Sequence, residues 1–218
     1  MNFSLRYTLA LILTLFFTLS HAQKTKKETN NEASLYSGLK FRSIGPAFMS
    51  GRIADIAINP SNENEWYVAV GSGGAWKTSN SGTTWIPLTD DQSFYSTGSI
   101  TIDPNNNDTV WLGTGENVGG RHVGIGKGVY VSYNGGKTWE NKGLNKSEHI
   151  SKIIVNKDNS NTILVASQGP LWSSGGERGL YKSADGGNNW RSVLKVNQWT
   201  GVTDIVVDNR DQNVIYAA

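Results

Sequence analysis

Beyond residue 50 the chain is written in short β-branched runs separated by polar turns. Ile53-Ala54-Asp55-Ile56-Ala57-Ile58, Ser99-Ile100-Thr101-Ile102, Ile150-Ser151-Lys152-Ile153-Ile154-Val155 and Val202-Thr203-Asp204-Ile205-Val206-Val207 each lead into a turn. The turns are Asn59-Pro60-Ser61-Asn62, Asp103-Pro104-Asn105-Asn106, Asn156-Lys157-Asp158-Asn159 and Asp208-Asn209-Arg210-Asp211. Apolar runs of this length, bounded by Pro, Asn and Asp, predict strands. A second run follows each turn, at Trp66–Val70, Val110–Gly113, Ile163–Ala166 and Val214–Ala217. The first three units add a third, at Ala75-Trp76-Lys77, Gly128-Val129-Tyr130-Val131 and Gly179-Leu180-Tyr181-Lys182.

An octet then recurs in those three units: Thr78-Ser79-Asn80-Ser81-Gly82-Thr83-Thr84-Trp85, Ser132-Tyr133-Asn134-Gly135-Gly136-Lys137-Thr138-Trp139 and Ser183-Ala184-Asp185-Gly186-Gly187-Asn188-Asn189-Trp190. The shared order is a hydroxyl (Thr78, Ser132, Ser183), Asn or Asp two residues on (Asn80, Asn134, Asp185), Gly two further (Gly82, Gly136, Gly187), then Trp. The tryptophans stand 54 and 51 residues apart. A period of that size marks a repeat architecture. The short Asn or Asp side chain accepts hydrogen bonds from backbone N–H groups of its own turn, and the glycine takes positive φ. The Trp supplies apolar area for the outermost strand to bury. A device present in every unit is structural, since a catalytic residue need occur only once.

With a fourth strand beginning at each octet Trp, a unit holds four antiparallel strands in roughly 45–50 residues, the size of a β-propeller blade. The expected fold is all-β: a propeller of four-stranded antiparallel blades at about 50–90, 96–142 and 148–195, with a truncated blade at about 200–218. About three and a half blades fall short of the roughly four to eight of closed rings. The chain therefore reads as an N-terminal fragment that needs the remaining blades of a longer protein, and alone it would aggregate or form an open arc.

Composition fits this reading. Gly numbers 25, Trp 8 and Tyr 8 of 218 residues, and charged residues make up only 17%. The formal net charge is +2 and the basic residues are scattered, so no stripe exists for a phosphate backbone and nucleic acid is not an expected partner. Cysteine is absent, which removes disulfides, thiolate nucleophiles and Cys-ligated metals. Arg6, the apolar run Leu9–Leu19 and the small residues of Ser20-His21-Ala22 predict a signal peptide over 1–22, cut after Ala22. The mature chain would then be secreted or periplasmic, with no membrane segment. Residues 23–38 read as a polar linker, and 39–218 as the partial propeller.

The octet resembles the Asp-box of sialidase-type (BNR) repeats. Phe41-Arg42-Ser43-Ile44-Gly45-Pro46, Gly128-Val129-Tyr130 and Gly176-Glu177-Arg178-Gly179-Leu180-Tyr181-Lys182-Ser183 resemble bacterial exported proteins grouped with the sortilin propellers, many described as glycosyl hydrolases with BNR repeats. The resemblance spans residues 39–218. It implies the fold, but Asp-boxes recur in enzymes and binding proteins alike.

In a propeller blade the first strand lines the central channel and the fourth lies outermost. The octets therefore mark one face, and the second-to-third and fourth-to-first loops form the other. Between the second and third strands, unit one has only Gly71–Gly74, whereas units two and three insert Thr114–Lys127 and Ser167–Arg178. Insertions confined to single repeats on one face belong to binding surfaces. Candidate ligand-binding residues are Arg52, Tyr95, Arg121, His122, His149, Gln168, Trp172 and Arg178, with Trp199 beside them. Aromatic rings for sugar faces and Arg, Gln and His for directional hydrogen bonds suit a glycan or peptide partner. Against this, Glu177 and Arg178 can simply pair at the rim, the histidines can be hydrogen-bonded loop residues, and Trp172 can pack down onto its blade.

Glycoside hydrolysis wants two carboxylates, for which Glu116, Glu148 and Glu177 are the candidates. Propeller xyloglucanases of the resembled group carry a catalytic Asp two residues before Gly-Gly-Ala in the first blade; here Gly71 precedes Gly73-Gly74-Ala75. Asp103–Asp108 lacks the glycine and distant Glu of a calcium loop. Gly124–Gly128 lacks Walker spacing. No metal or cofactor is expected. Two readings remain: a recognition surface for peptide or glycan, and part of a polysaccharide-acting hydrolase whose carboxylates are incomplete in this chain.

Overall fold

The computed structural model describes residue 38 and residues 51–117 and 123–218. The expected signal peptide, the cleavage after Ala22, the linker apart from Gly38, and the candidates Arg121 and His122 lie outside the described residues. All described residues but Gly38 belong to the compact unit Ser43–Ala218.

Among the described residues, three four-stranded antiparallel sheets and one two-stranded sheet follow one another in sequence. Blade 1 is β1 (Ile53–Ile58), β2 (Trp66–Val70), β3 (Gly74–Thr78) and β4 (Ile86–Pro87). Blade 2 is β5 (Thr97–Asp103), β6 (Asn106–Thr114), β7 (Val129–Ser132) and β8 (Glu140–Asn141). Blade 3 is β9 (Ile150–Asn156), β10 (Asn159–Ser167), β11 (Gly179–Ser183) and β12 (Arg191–Leu194). The last sheet pairs β13 (Ile205–Val207) with β14 (Ile215–Ala217). Strand order within each sheet is sequential, so the fold is a run of up-and-down blades of an all-β propeller.

Two expectations shift by a few residues. The outermost strands begin one residue after each Trp, leaving the indole free to turn inward. In blades 2 and 3 the β5–β6 and β9–β10 turns tighten into hairpins, with Asp103 opposite Asn106 and Asn156 opposite Asn159, so the second strands start inside the expected turns.

The core lies between blades, because each strand alternates its side chains to both faces of its sheet. Tyr67, Ala69 and Ala75 of blade 1 pack against Ile100, Ile102, Val110, Leu112 and Tyr130 of blade 2. Trp111, Val129 and Val131 of blade 2 pack in turn on Ile153, Val155, Ile163 and Val165 of blade 3. Leu164, Ala166 and Leu180 continue the series onto Val202 and Ile205. Each fully buried Ile or Val is worth about 1.5–3 kcal/mol, so these layers are what orders the blades.

The octets form the same turn three times. The hydroxyl of Thr78, Ser132 or Ser183 accepts the N–H of Gly82, Gly136 or Gly187 at 2.8–2.9 Å. Oδ1 of Asn80, Asn134 or Asp185 accepts the N–H of Thr84, Thr138 or Asn189 at 2.9 Å. The three glycines have φ of 85°, 90° and 80°. Each turn is also tied to the first hairpin of its own blade: Ser81, Gly135 and Gly186 donate their N–H groups to the carbonyls of Asn64, Asp108 and Asn161. The Trp139 and Trp190 indoles reach back to the preceding blade, donating to the carbonyls of Leu88 (2.9 Å) and Lys142 (2.6 Å).

Candidate functional site

First strands of successive blades pack side by side, β1 on β5 and β5 on β9. They wall a cavity of about 570 Å³ lined by residues that include Asp55, Thr101, Lys152 and Val206. Side chains cross between these strands: Asp55 Oδ2 accepts from the Ser99 hydroxyl (3.2 Å) and the Ile100 N–H (3.1 Å), and Lys152 Nζ stands 3.5 Å away. The cavity is the propeller channel. Its polar groups are spent largely on one another.

At the end of the channel opposite the octets, one hydrogen bond repeats in every complete blade. The residue just beyond the second strand (Gly71, Gly115, Gln168) donates its N–H to the carbonyl of the fourth-to-first loop (Arg52, Ser96, His149). This brings the two loop classes together, and most of the candidates meet there.

They meet as a buried polar belt. Arg52 donates through Nε (2.6 Å) and Nη2 to Oε1 of Glu116, tying blade 1 to blade 2. Glu116 is 1% exposed, and its Oε2 accepts the Gly124 N–H at 3.3 Å. The Glu116 carbonyl accepts from Nδ1 of His149 at 2.9 Å, joining blade 2 to blade 3. A carbonyl can only accept, so His149 carries its proton on Nδ1. Burial pushes its pKa below the ordinary value; the Glu116 bond and the nearby carboxylates oppose that shift, and Arg178 adds to it. Gln168 takes the next step, donating from Nε2 to the Asn117 carbonyl at 2.8 Å.

Arg178 closes the belt. Its guanidinium donates to the carbonyls of Gly175 (2.9 Å), Gln168 (2.7 Å), Ser173 (2.6 Å), Trp199 (3.2 Å) and Pro170. Arg178, His149 and Gln168 are all buried, with these groups engaged inside the protein. In this structure they brace the loops around the channel mouth. Nor does Arg178 pair with Glu177, whose Oε2 accepts the Lys146 N–H at 2.7 Å.

Of the carboxylate candidates, Glu177 is thus pinned to the linker between blades 2 and 3. Glu148 is half-buried in the left-handed region at φ 60°, its carbonyl accepting the Gly126 N–H at 2.8 Å. Glu116 has the more informative position. A Cβ built on Gly71 would lie 2.5 Å from Glu116 Oε1, so this carboxylate fills the space a side chain at residue 71 would use. The sequence shows that Gly71 is not Asp; it does not show which residue takes the vacated volume.

Three aromatic candidates remain open to solvent: Tyr95 at 62%, Trp172 at 77% and Trp199 at 63% exposure. Trp172 does not pack onto its blade. Its loop and that of Trp199 are held together by Arg178 and by the Gly175 N–H, which donates to Gln198 O at 2.8 Å. Arg52 also keeps half its side chain in solvent. Sequence reading missed Asn117, which donates Nδ2 to Ala54 O at 3.4 Å and leaves Oδ1 buried without a partner among the described residues; only its place inside the Thr114–Lys127 insertion signalled it. Among the described residues no three His, Asp or Glu side chains cluster to hold a metal ion.

No family model matches the chain. It is 24% identical over 175 residues to an oligoxyloglucan-reducing end-specific xyloglucanase of Emericella nidulans, covering 76% of this chain and 21% of that protein. Among solved structures it is similar to an ancestral GH74 enzyme, with a TM-score of 0.57, 22% identity, and coverage of 76% of this chain and 22% of that one. It is also similar to YCF48 bound to D1 peptide, with a TM-score of 0.50, 15% identity, and coverage of 78% and 50%. These similarities establish the propeller fold. The chain spans about a fifth of the length of the curated relatives it matches.

Proposed function

We propose that this chain forms part of an exported propeller that acts on a polysaccharide, and that the face opposite the octet turns is its sugar-binding surface. The observation that carries this reading is the combination of exposed rings and anchored loops at Tyr95, Trp172 and Trp199. Flat aromatic faces stack on the C–H faces of sugar rings. Loops already held by a buried guanidinium lose little conformational entropy when a ligand arrives. Arg52 adds directional donors at the same mouth. The similarity to an oligoxyloglucan-specific enzyme makes xyloglucan oligosaccharides the first probe.

Hydrolysis belongs to the whole protein in this reading, because it needs two carboxylates and the described candidates do not form a free pair. Glu116 is the one to test. It fills the space beside Gly71, where the resembled xyloglucanases carry their catalytic base, and partly exposed Arg52 is the group that would have to swing away to uncover it.

Calorimetric titration with xyloglucan oligosaccharides, together with reducing-sugar release from a glycan panel, tests the reading. Trp172→Ala and Trp199→Ala should each weaken binding roughly tenfold, about 1.4 kcal/mol. Glu116→Gln should abolish release while leaving binding in place. Binding to peptides but to no glycan on the panel would sink the proposal.

A further inference from the structure

Glu148 sits in a turn that an L-residue rarely adopts. The His149 N–H donates to the Ser147 carbonyl at 2.7 Å, closing a three-residue turn around Glu148 at φ 60°. A γ-turn with positive φ at its centre is rare and strained, and a side chain there adds to the strain. The surrounding backbone holds it in place. The Glu148 carbonyl accepts the Gly126 N–H at 2.8 Å, and a Cβ built on Gly115 would stand 1.8 Å from that same oxygen. Strain that neighbours over-determine in this way is characteristic of functional positions.

The fold makes no use of the carboxylate this turn carries. Glu148 is half-buried, yet its side chain makes no hydrogen bond or ion pair among the described residues. Its neighbours in the belt are engaged: Glu116 with Arg52, His149 with the Glu116 carbonyl, and Glu177 with the Lys146 N–H. Glu148 also has a counterpart at the channel mouth. Its carbonyl accepts from the second-to-third loop of blade 2 as the Tyr95 carbonyl accepts from that of blade 1, where the Gly74 N–H lies 2.8 Å away. The two residues therefore hold the same place in successive fourth-to-first loops, and Tyr95 presents an exposed ring there. Gly115 adjoins both loops, donating its N–H to the carbonyl of Ser96 at 2.8 Å and packing on that of Glu148.

We infer that Glu148 is a specificity-determining ligand contact, its carboxylate accepting two hydroxyl groups of a neutral sugar residue seated at the mouth beside Tyr95. This rests on the sugar-binding reading of that face and adds to it the acceptor that directs the hydroxyls. An ionised carboxylate only accepts, and its two oxygens match a pair of neighbouring hydroxyls. Hydrogen bonds to a charged acceptor are roughly twice as strong as neutral ones. The strained turn fixes the carboxylate's backbone before the ligand arrives, which lowers the entropy lost on binding.

Titration of the intact protein with xyloglucan oligosaccharides, with and without added calcium, beside urea unfolding of each variant, tests the assignment. Glu148→Gln keeps the shape of the side chain and should weaken binding about tenfold. Glu148→Ala and Glu148→Gly should weaken it at least as much, while the glycine variant unfolds at a higher urea midpoint than the alanine one because it relieves the turn. Parent-like affinity in all three variants would overturn the inference and leave the reading of the face standing, whereas a parent that binds no glycan would overturn both. Affinity that falls only in step with stability would make Glu148 a structural residue and overturn the inference. So would parent binding that appears only with added calcium, which would assign the carboxylate to a cation.

Discussion

Nδ1 of His149 donates to the carbonyl oxygen of Glu116 across 2.9 Å, fastening blade 3 to blade 2 at the channel mouth. Burial favours the neutral ring, so the folded-state pKa lies below the ordinary value near 6.5. A depressed pKa contributes stability that is fully present above the unfolded value and is lost as pH falls through the folded one. The urea midpoint should therefore drop as pH is lowered below 6.5, and His149→Asn should flatten that part of the profile.

Asp185 makes the corresponding prediction at lower pH. Its carboxylate accepts hydrogen bonds from the Asn189 side chain and backbone and from the Ser183 hydroxyl, which bring its pKa down from 3.8 to about 2. The stability it adds is present above pH 3.8 and is lost as pH falls through about 2. Asp185→Asn, which matches Asn80 and Asn134 of the other turns, should remove this component from the acid-unfolding curve.

Arg178 tests the belt. Replacing it by Lys keeps the charge but cannot reach five carbonyls in different directions. Chemical denaturation of Arg178→Lys should show a loss of about 3 kcal/mol, from several acceptors left buried and unpaired. Maintained stability would mean that the loops do not depend on this guanidinium.

Gly71 and Glu116 should behave as one unit. Gly71→Ala places a methyl where the Glu116 carboxylate stands, so it should destabilise the fold by about 2 kcal/mol. The double variant Gly71→Ala, Glu116→Ala should recover part of that loss. A coupling energy of at least about 1 kcal/mol in the double-mutant cycle is expected for side chains in direct contact.

Gly187→Ala probes the octet turn. At φ 80° an alanine is strained, and its Cβ would lie 2.8 Å from the ring of Trp111. A fall in thermal midpoint corresponding to about 2 kcal/mol or more is expected, from left-handed strand-turn geometry plus the clash.

The blades were legible in the sequence because they rest on local rules. Period-2 apolar runs, Asn-Pro and Asp-Pro turns and the spacing of Trp85, Trp139 and Trp190 depend only on neighbours along the chain, and strand pairing follows once hairpins are short. The split into two loop faces was also legible, since it is a count of strands. What the sequence could not show is the state of each candidate side chain. Arg178, His149, Gln168 and Glu116 read as ligand-binding or catalytic groups because polar residues in inserted loops usually face water. Only the tertiary structure stacks loops from three blades on one another, removing that water and making carbonyls such as those of Glu116, Asn117 and Trp199 the available partners. Exposed Trp172 and buried Arg178 lie in the same short insertion, and the difference between them is which one points into the seam between blades. Local pattern determined the repeat; long-range packing decided which residues of the inserted loops were buried and which stayed exposed.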